Sequence, residues 1–571
     1  MSQTKTHPYP SQETQVIHVK GSEREIGRQH AEQLGDCVGR GMAKFYYDFW
    51  KRLMTSQKKS GIRGAAFNAA KWLIDPLLVK RLSGQMTPLL KDRIQGMSDV
   101  SGLPYEQLVT AIVLPDLLPI LQAYLVKFWP QMFVEAAAPP RFGCTSFVSA
   151  GERFLYGRNL DFPGVAYWDR YPVIQVTSRR NSLRYIGFTS AGVPIGGITG
   201  VNEAQISVAL HQHYCRNTSL RGTLPFAIAE EILSQAHTLR EAMEILDRGR
   251  VASSWAFIVA DGKSREAFLY ETHPQAHGVI RLTDHPGILA HSNFFQTSAC
   301  SPAEYATTAR MNWDNHSRKR RLEELILRAG KDLAPAVAVQ ALSDHFDPFW
   351  GEEKIINRTV SQVYNIQSIL LDLESMKGWM AEGDAPIHLR EYVEYDLGEI
   401  FQGRDGKTGI RYPAYHFQSE SKRNAKEAYI GSFIAAFDNK FDVALEEVRC
   451  SLAHDYCAEA GFVACVLLLK KGNFTEGCAE LLRAKEWMEA KLKERMDLTP
   501  PPEYFEIGLF LARAYDLLGK RGEAIRMYQS VATHPALEDK NLKTLATAAR
   551  PYSVQMLSRI LMPYSTYVPF Q

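Results

Sequence analysis

The sequence predicts an α+β protein that ends in an all-helical region. Three features carry that expectation. From residue 142 onward, short runs rich in Val, Ile, Phe and Tyr ("TSFVSA", "RFLYGRN", "YPVIQVTS", "LRYIGFT", "QISVALH") alternate with Gly, Asn and Pro turns, as consecutive antiparallel strands do. A helical stretch at 224–249, "LPFAIAEEILSQAHTLREAMEILDRG", separates these from further strands at "SSWAFIVADG" and "EAFLYETH". Beyond Tyr415 the pattern becomes purely helical. Strands, helices and more strands in blocks indicate layered α+β packing rather than alternating βαβ units.

In chain order, residues 17–136 are expected to be helical in several pieces. "SEREIGRQHAEQLGD" puts Ser22 three residues before Glu25, a capping-box spacing, and "LPYEQLVTAIVL" carries apolar residues at helical intervals. After the strand-rich part, the basic helical run "NHSRKRRLEELILRAG" and a mixed segment lead to residue 415. In the helical region "FIAAFDNKFDVALEEV" (433–448) and "VACVLLLKKGNFTEGCAELL" (463–482) superpose with Phe441 over Phe474, a period of 33. "LARAYDLLGKRGEAIRMYQSVATHP" (511–535) is a third copy, displaced by an insertion that includes Pro500, Pro501 and Pro502. A helix pair leaves an apolar face that only a stacked neighbour covers, so a small solenoid is expected. The divisions are 1–143, helical; 144–415, α+β; and 416–571, helical repeats.

A net charge of +3 over 571 residues is close to neutral, and no nucleic-acid motif accompanies it, so a nucleic-acid partner is not expected. The eight cysteines are scattered without CxxC pairs, which points to reduced thiols and a cytoplasmic location. The amino terminus has no apolar signal core. The most apolar stretch, "LVTAIVLPDLLPILQAYLVKFWPQMFV" at 108–134, is interrupted by Pro115, Asp116, Pro119, Lys127 and Pro130, so no membrane span is expected there.

One cysteine stands apart. Cys144 opens a strand directly after Gly143, and "GRNLDF" follows with Arg158, Asn159 and Asp161. If the two segments form a hairpin, a three-residue loop with Gly151 left-handed pairs Cys144 with Arg158, and a two-residue loop pairs it with Asn159. Either register sets a guanidinium beside the thiol, which lowers its pKa from about 8.5 and enriches the nucleophilic thiolate.

Gly-Cys-Thr-Ser followed by Gly-Arg-Asn-Leu-Asp-Phe resembles the amino-terminal nucleophile (Ntn) hydrolases of the penicillin acyltransferase type, relatives of the bile-salt (choloylglycine) and penicillin V amide hydrolases. The resemblance spans about 17–415, with "EREIGRQHAEQLG" similar to the family's propeptide. It implies a four-layer αββα fold and a zymogen that cleaves itself between Gly143 and Cys144, where glycine tolerates the bent backbone such an attack requires. Cys144 then owns both the nucleophile and an α-amine with a pKa near 7.7 to 8.0, a base at neutral pH. By the same resemblance Arg158 steadies the thiolate, Asp161 bonds the α-amine or thiol, Asn293 in "HSNFF" faces the oxyanion, and Arg318 in "NHSRKRR" is a second site arginine, with Arg321 behind it. Asn159 and the strand-end pair His211 and Gln212 are the candidate substrate or oxyanion contacts, and His213 a pocket residue.

The implied substrate is an acyl amide or acyl thioester with an apolar acyl group, and no metal or cofactor is expected. The third helical copy resembles a tetratricopeptide repeat through Leu511, Tyr515, Gly519, Ala524, Tyr528 and Pro535, with Ala512 where glycine is commoner. Such repeats imply a protein partner or self-association. Two alternatives remain at the level of sequence: a histidine-activated cysteine hydrolase that is never cut, and a ligand-binding scaffold without catalysis.

Overall fold

The computed structural model describes residues 11–55, 78–128, 143–285, 287–305, 309–495 and 497–557; the stretch leading into Gly143, with Pro130, lies outside them. Two large sheets dominate. The first runs β1 (Gln15–Lys20), β4 (Pro172–Ser178), β5 (Tyr185–Ser190), β6 (Thr199–Asn202), β7 (Ile206–Gln212), β8 (Trp255–Asp261), β9 (Glu266–His273), β10 (Ala276–Arg281). The second runs β11 (Ile288–His291), β2 (Gly143–Ala150), β3 (Phe154–Asp161), β14 (Asn365–Asp372), β15 (Lys377–Ala381), β16 (Tyr392–Asp396), β17 (Lys407–Tyr412). Two short strands, β12 (Phe346–Asp347) and β13 (Glu352–Glu353), pair with each other.

The alternation of side chains along these strands explains their packing. Val148, Tyr156 and Ile369 of the second sheet meet Ile174, Ile186, Ala209 and Ile258 of the first in one buried core. The opposite face of the second sheet, with Phe147, Leu155 and Leu370, packs on Leu322, Ile326, Ala338 and Leu342. These last four belong to α8 (Ala309–Ala329) and α9 (Pro335–Leu342). The outer face of the first sheet packs on α6 (Pro225–Gln235) and α7 (Leu239–Arg248). The sequence suggested one helix at 224–249; the structure breaks it because Thr238 caps a new helix, its hydroxyl accepting from the Glu241 N–H.

The amino-terminal segment is not wholly helical. Gln15–Lys20 forms β1 and adds a parallel edge strand to β4. The rest comprises α1 (Glu23–Leu34), α2 (Cys37–Arg40), α3 (Met42–Thr55), α4 (Pro88–Ser101) and α5 (Tyr105–Phe128). α1 carries the Ser22–Glu25 capping box. Among the described residues α5 is long and apolar enough to cross a membrane, and 78% of its most apolar window is buried inside the protein. Pro115 and Pro119 do not interrupt it, contrary to the sequence expectation. Pro119 has no N–H to give the carbonyl of Pro115, and that carbonyl accepts instead from Gln212 Nε2 at 2.6 Å.

Past a short α10 (Leu397–Phe401), three helix pairs follow: α11 (Glu420–Phe437) with α12 (Phe441–His454), α13 (Ala458–Lys470) with α14 (Phe474–Glu494), and α15 (Pro502–Leu517) with α16 (Arg521–Ala532). The final helices are α17 (Lys540–Ala548) and α18 (Val554–Leu557). The three turns share one geometry, with Asn439, Gly472 and Gly519 left-handed (φ 59°, 83° and 73°). In each turn the next N–H bonds back to a carbonyl of the preceding helix, from Lys440 to Ala435, Asn473 to Leu468 and Lys520 to Tyr515.

Candidate active site

β2 and β3 form a hairpin in which Ala150 pairs with Phe154 and Cys144 with Leu160. Neither register expected from loop length is adopted, and Arg158 stands opposite Ser146. The connection Gly151–Arg153 is held from outside the hairpin, with the Glu152 N–H donating to Lys331 O at 2.8 Å and Arg265 bonded to Gly151 O. The loop keeps the expected length of three residues but sits one position later than Ala150–Glu152, where these tertiary contacts hold it. Arg158 and Leu160 share a face of β3, so the guanidinium reaches diagonally and its Nη2 lies 3.3 Å from the thiol of Cys144.

Both terminal nitrogens of Arg158 are engaged in the space between the sheets. Its Nη2 also donates to Leu210 O at 2.5 Å, and its Nη1 to Ile198 O and Thr199 Oγ1. Burial pushes the Cys144 thiol up, and the opposing pull of Arg158 does not overcome it. The lowered thiol pKa expected from sequence is therefore absent, because a side chain 1% exposed loses more from desolvation than one guanidinium returns.

The other polar groups of Cys144 are also held. Its N–H donates to Asn293 Oδ1 at 2.7 Å, and its carbonyl accepts from Arg318 Nη1 at 2.9 Å. Arg318, 1% exposed on α8, donates further to Thr145 Oγ1 (2.5 Å), Asn293 Oδ1 (3.1 Å), Asn315 Oδ1 (2.6 Å) and Asp314 Oδ2 (2.9 Å). Asn293 Nδ2 donates to Gln212 O at 2.9 Å, so donors and acceptor on opposite sides fix its amide. Asp161 stands opposite Gly143, where a Cβ would come within 3.1 Å of the Asp161 Cβ. The Asp161 Oδ1 accepts from Asn365 at 2.8 Å, while its buried Oδ2 has no hydrogen-bond partner and lies 3.9 Å from Arg318 Nη1. Burial raises this carboxyl to about 6, against the pull of Arg318 and Asn365.

The structure thus brings Cys144, Arg158, Asp161, Asn293 and Arg318 together. Asn159 points to the opposite side, donating to Leu342 O at 2.7 Å and accepting from Ser368 at 2.6 Å. His211 Nε2 bonds Ser146 Oγ at 2.9 Å, Gln212 ties down α5, and His213 stacks on His291 with Nε2 atoms 2.8 Å apart. Burial holds these histidines neutral, with His213 pushed down to about 3. Arg321 makes a two-pronged pair with Asp344 and lies over Phe346. Sequence reasoning missed Asp314 and Asn315. Asp314 precedes Arg318 by one helical turn, an i,i+4 spacing that was legible; the Leu210 carbonyl left no signal at all.

Ile198, whose carbonyl accepts from Arg158, also lines a small apolar cleft with Tyr46, Ile112, Trp168, Val193 and Phe226. Its walls come from both the amino-terminal helices and the strand-rich part. No curated protein matches the chain. Residues 148–385 match the family described as acyl-coenzyme A:6-aminopenicillanic acid acyl-transferase. That span begins just past Cys144 and contains Arg158, Asp161, Asn293 and Arg318, so the strand-rich middle of the chain is similar to an acyl-transferase family.

Proposed function

We propose that the chain is a self-processing acyltransferase or amidohydrolase of the Ntn type, with Cys144 as nucleophile. The observation that carries this reading is that thiol, amide and carbonyl of Cys144 are each held by a different buried polar side chain, Arg158, Asn293 and Arg318. A cysteine that merely fills a core needs none of these. The match of residues 148–385 supports acyl transfer, and helices on the outer faces of two stacked sheets support the four-layer Ntn arrangement.

In maturation the thiol of Cys144 adds to the Gly143 carbonyl carbon, its proton passes to the Cys144 nitrogen, and the C–N bond breaks to leave Gly143 as a thioester on Sγ. Water hydrolyses that thioester, freeing the Gly143 carboxylate and the thiol. The new α-amine supplies what Asp161 Oδ2 lacks, a donor in a buried site. In turnover the α-amine takes the thiol proton, the sulfur attacks an acyl amide or thioester, and the leaving amine or thiol departs with that proton. Asn293 and Arg158 stabilise the developing charges. Water or an amine acceptor resolves the acyl-enzyme. The apolar cleft beside Ile198 supports an apolar acyl group.

Denaturing electrophoresis with amino-terminal sequencing tests the first step: two chains beginning at Met1 and Cys144 are expected, and Cys144→Ala leaves one. Two chains from the variant would show that the scissile site lies elsewhere. Incubation of the mature protein with acyl amides and acyl-CoA thioesters, read by mass spectrometry, should show an acyl mass on the Cys144 chain.

The turns and helix pairs of residues 420–532 support a tetratricopeptide-like stack.

A further inference from the structure

The loop Asn357–Gln362 lies between the helical region and the candidate site. Asn357 and Arg358 are successive non-glycine residues in the left-handed region (φ 62° and 55°), a conformation that persists only where its surroundings over-determine it. The surroundings are largely helices beyond residue 416. Glu503 at the start of α15, fully buried, accepts from Arg358 Nη1 at 2.5 Å, and buried Glu459 of α13 lies 3.9 Å from Arg358 Nη2 and pairs with Lys354. Asp347 completes the cluster, 3.1 Å from Arg358 Nε. Lys426 of α11, also fully buried, donates to the carbonyl and hydroxyl of Ser361, each at 3.2 Å.

The other side of this loop faces the site. The Arg358 N–H donates to Asp314 Oδ1 at 2.7 Å and Gln362 Nε2 to the same oxygen at 3.3 Å. The second oxygen of Asp314 holds Arg318 Nε at 2.9 Å, and Arg318 grips the Cys144 carbonyl and the Asn293 amide. A continuous run of buried contacts, ion pairs joined through the Arg358 backbone N–H, therefore links Glu503 to Cys144. Every member is buried, where the loss of one partner strands a charge.

Resting on the proposed function, we propose that the helical region is a positioning part of the catalytic centre: Glu503 and Lys426 clamp the Asn357–Gln362 loop so that Asp314 orients Arg318. They touch neither the nucleophile nor the substrate and act through Arg318. The helical pairs are then part of the catalytic unit and not an independent docking module.

The test uses the full chain and the rate at which the fragment beginning at Cys144 forms, measured well below each variant's melting temperature. Glu503→Gln is expected to cut about 10- to 100-fold more slowly, the cost of misplacing a catalytic group by about an ångström. Glu503→Asp, which keeps the charge, should recover much of the rate. In a double-mutant cycle, Glu503→Gln should add little to Arg318→Lys, because both act on one group. A merely structural Glu503 would lower the melting temperature and leave the cutting rate and the cycle additive, and that result overturns the inference. If Glu503→Gln does not fold, Lys426→Met, which leaves no stranded charge, should slow cutting to a similar degree; cutting at the wild-type rate overturns the inference. Wild-type protein that never cuts overturns the reading of the site itself, and this inference with it.

Discussion

Among single residues, Asp161 offers the sharpest pH test. Its folded-state value of about 6 exceeds the usual 3.8, so the folded chain keeps a proton that the unfolded chain has lost. The stability this contributes is whole below 3.8 and is lost as pH rises through about 6. Measured in the Cys144→Ala background, which is expected to stay uncut, stability relative to the added Asp161→Asn change should fall between pH 4 and 6 by about 2 kcal/mol, at up to about 1.36 kcal/mol per unit. Equal pH slopes would assign the carboxyl an ordinary value. Much of the residue-level picture was legible, because Cys144, Arg158 and Asp161 sit in two adjacent short motifs. The register was not, since it depends on Lys331 and Arg265, distant in sequence. Nor was the thiol's raised pKa, because burial is a property of the assembled layers and not of neighbouring letters.

At the scale of elements, α1 and α4 meet backbone to backbone. A Cβ on Gly27 would lie 1.9 Å from Arg93 O, and one on Gly96 2.0 Å from Arg24 O. This contact seats Arg93, 1% exposed, between Glu23 (2.6 Å) and Glu230 (2.6 Å) and against Pro194 O (2.8 Å). Gly27→Ala is expected to cost about 2–3 kcal/mol by forcing the helices apart. Gly519→Ala, with nothing within 4 Å of its new Cβ and only the left-handed φ to resist it, should cost about 1 kcal/mol. Thermal melts of the two variants order these effects, and a cheaper Gly27→Ala would mean the helices are free to separate. Element types followed from periodicity, but β1 and the break at Thr238 did not: a lone strand ahead of helices has meaning only beside β4, and a cap residue inside an apolar run is easily overlooked.

For the molecule as a whole, the chain was legible as strand-rich middle and helical end, and the way these parts depend on each other was not. Buried pairs such as Arg358 with Glu503 join residues 145 positions apart, and no local pattern announces them. The parallel ladder of β1 on β4 and the seating of Arg93 have a further consequence. They tie the amino-terminal segment into the part that follows the proposed cut, through Gln15–Lys20 on strand β4 and through Glu230 on helix α6. A break before Cys144 would then be a nick, not a release: the two pieces should elute together as one particle in gel filtration, separate only under denaturant, and fail to find each other again if refolded as separate strangers.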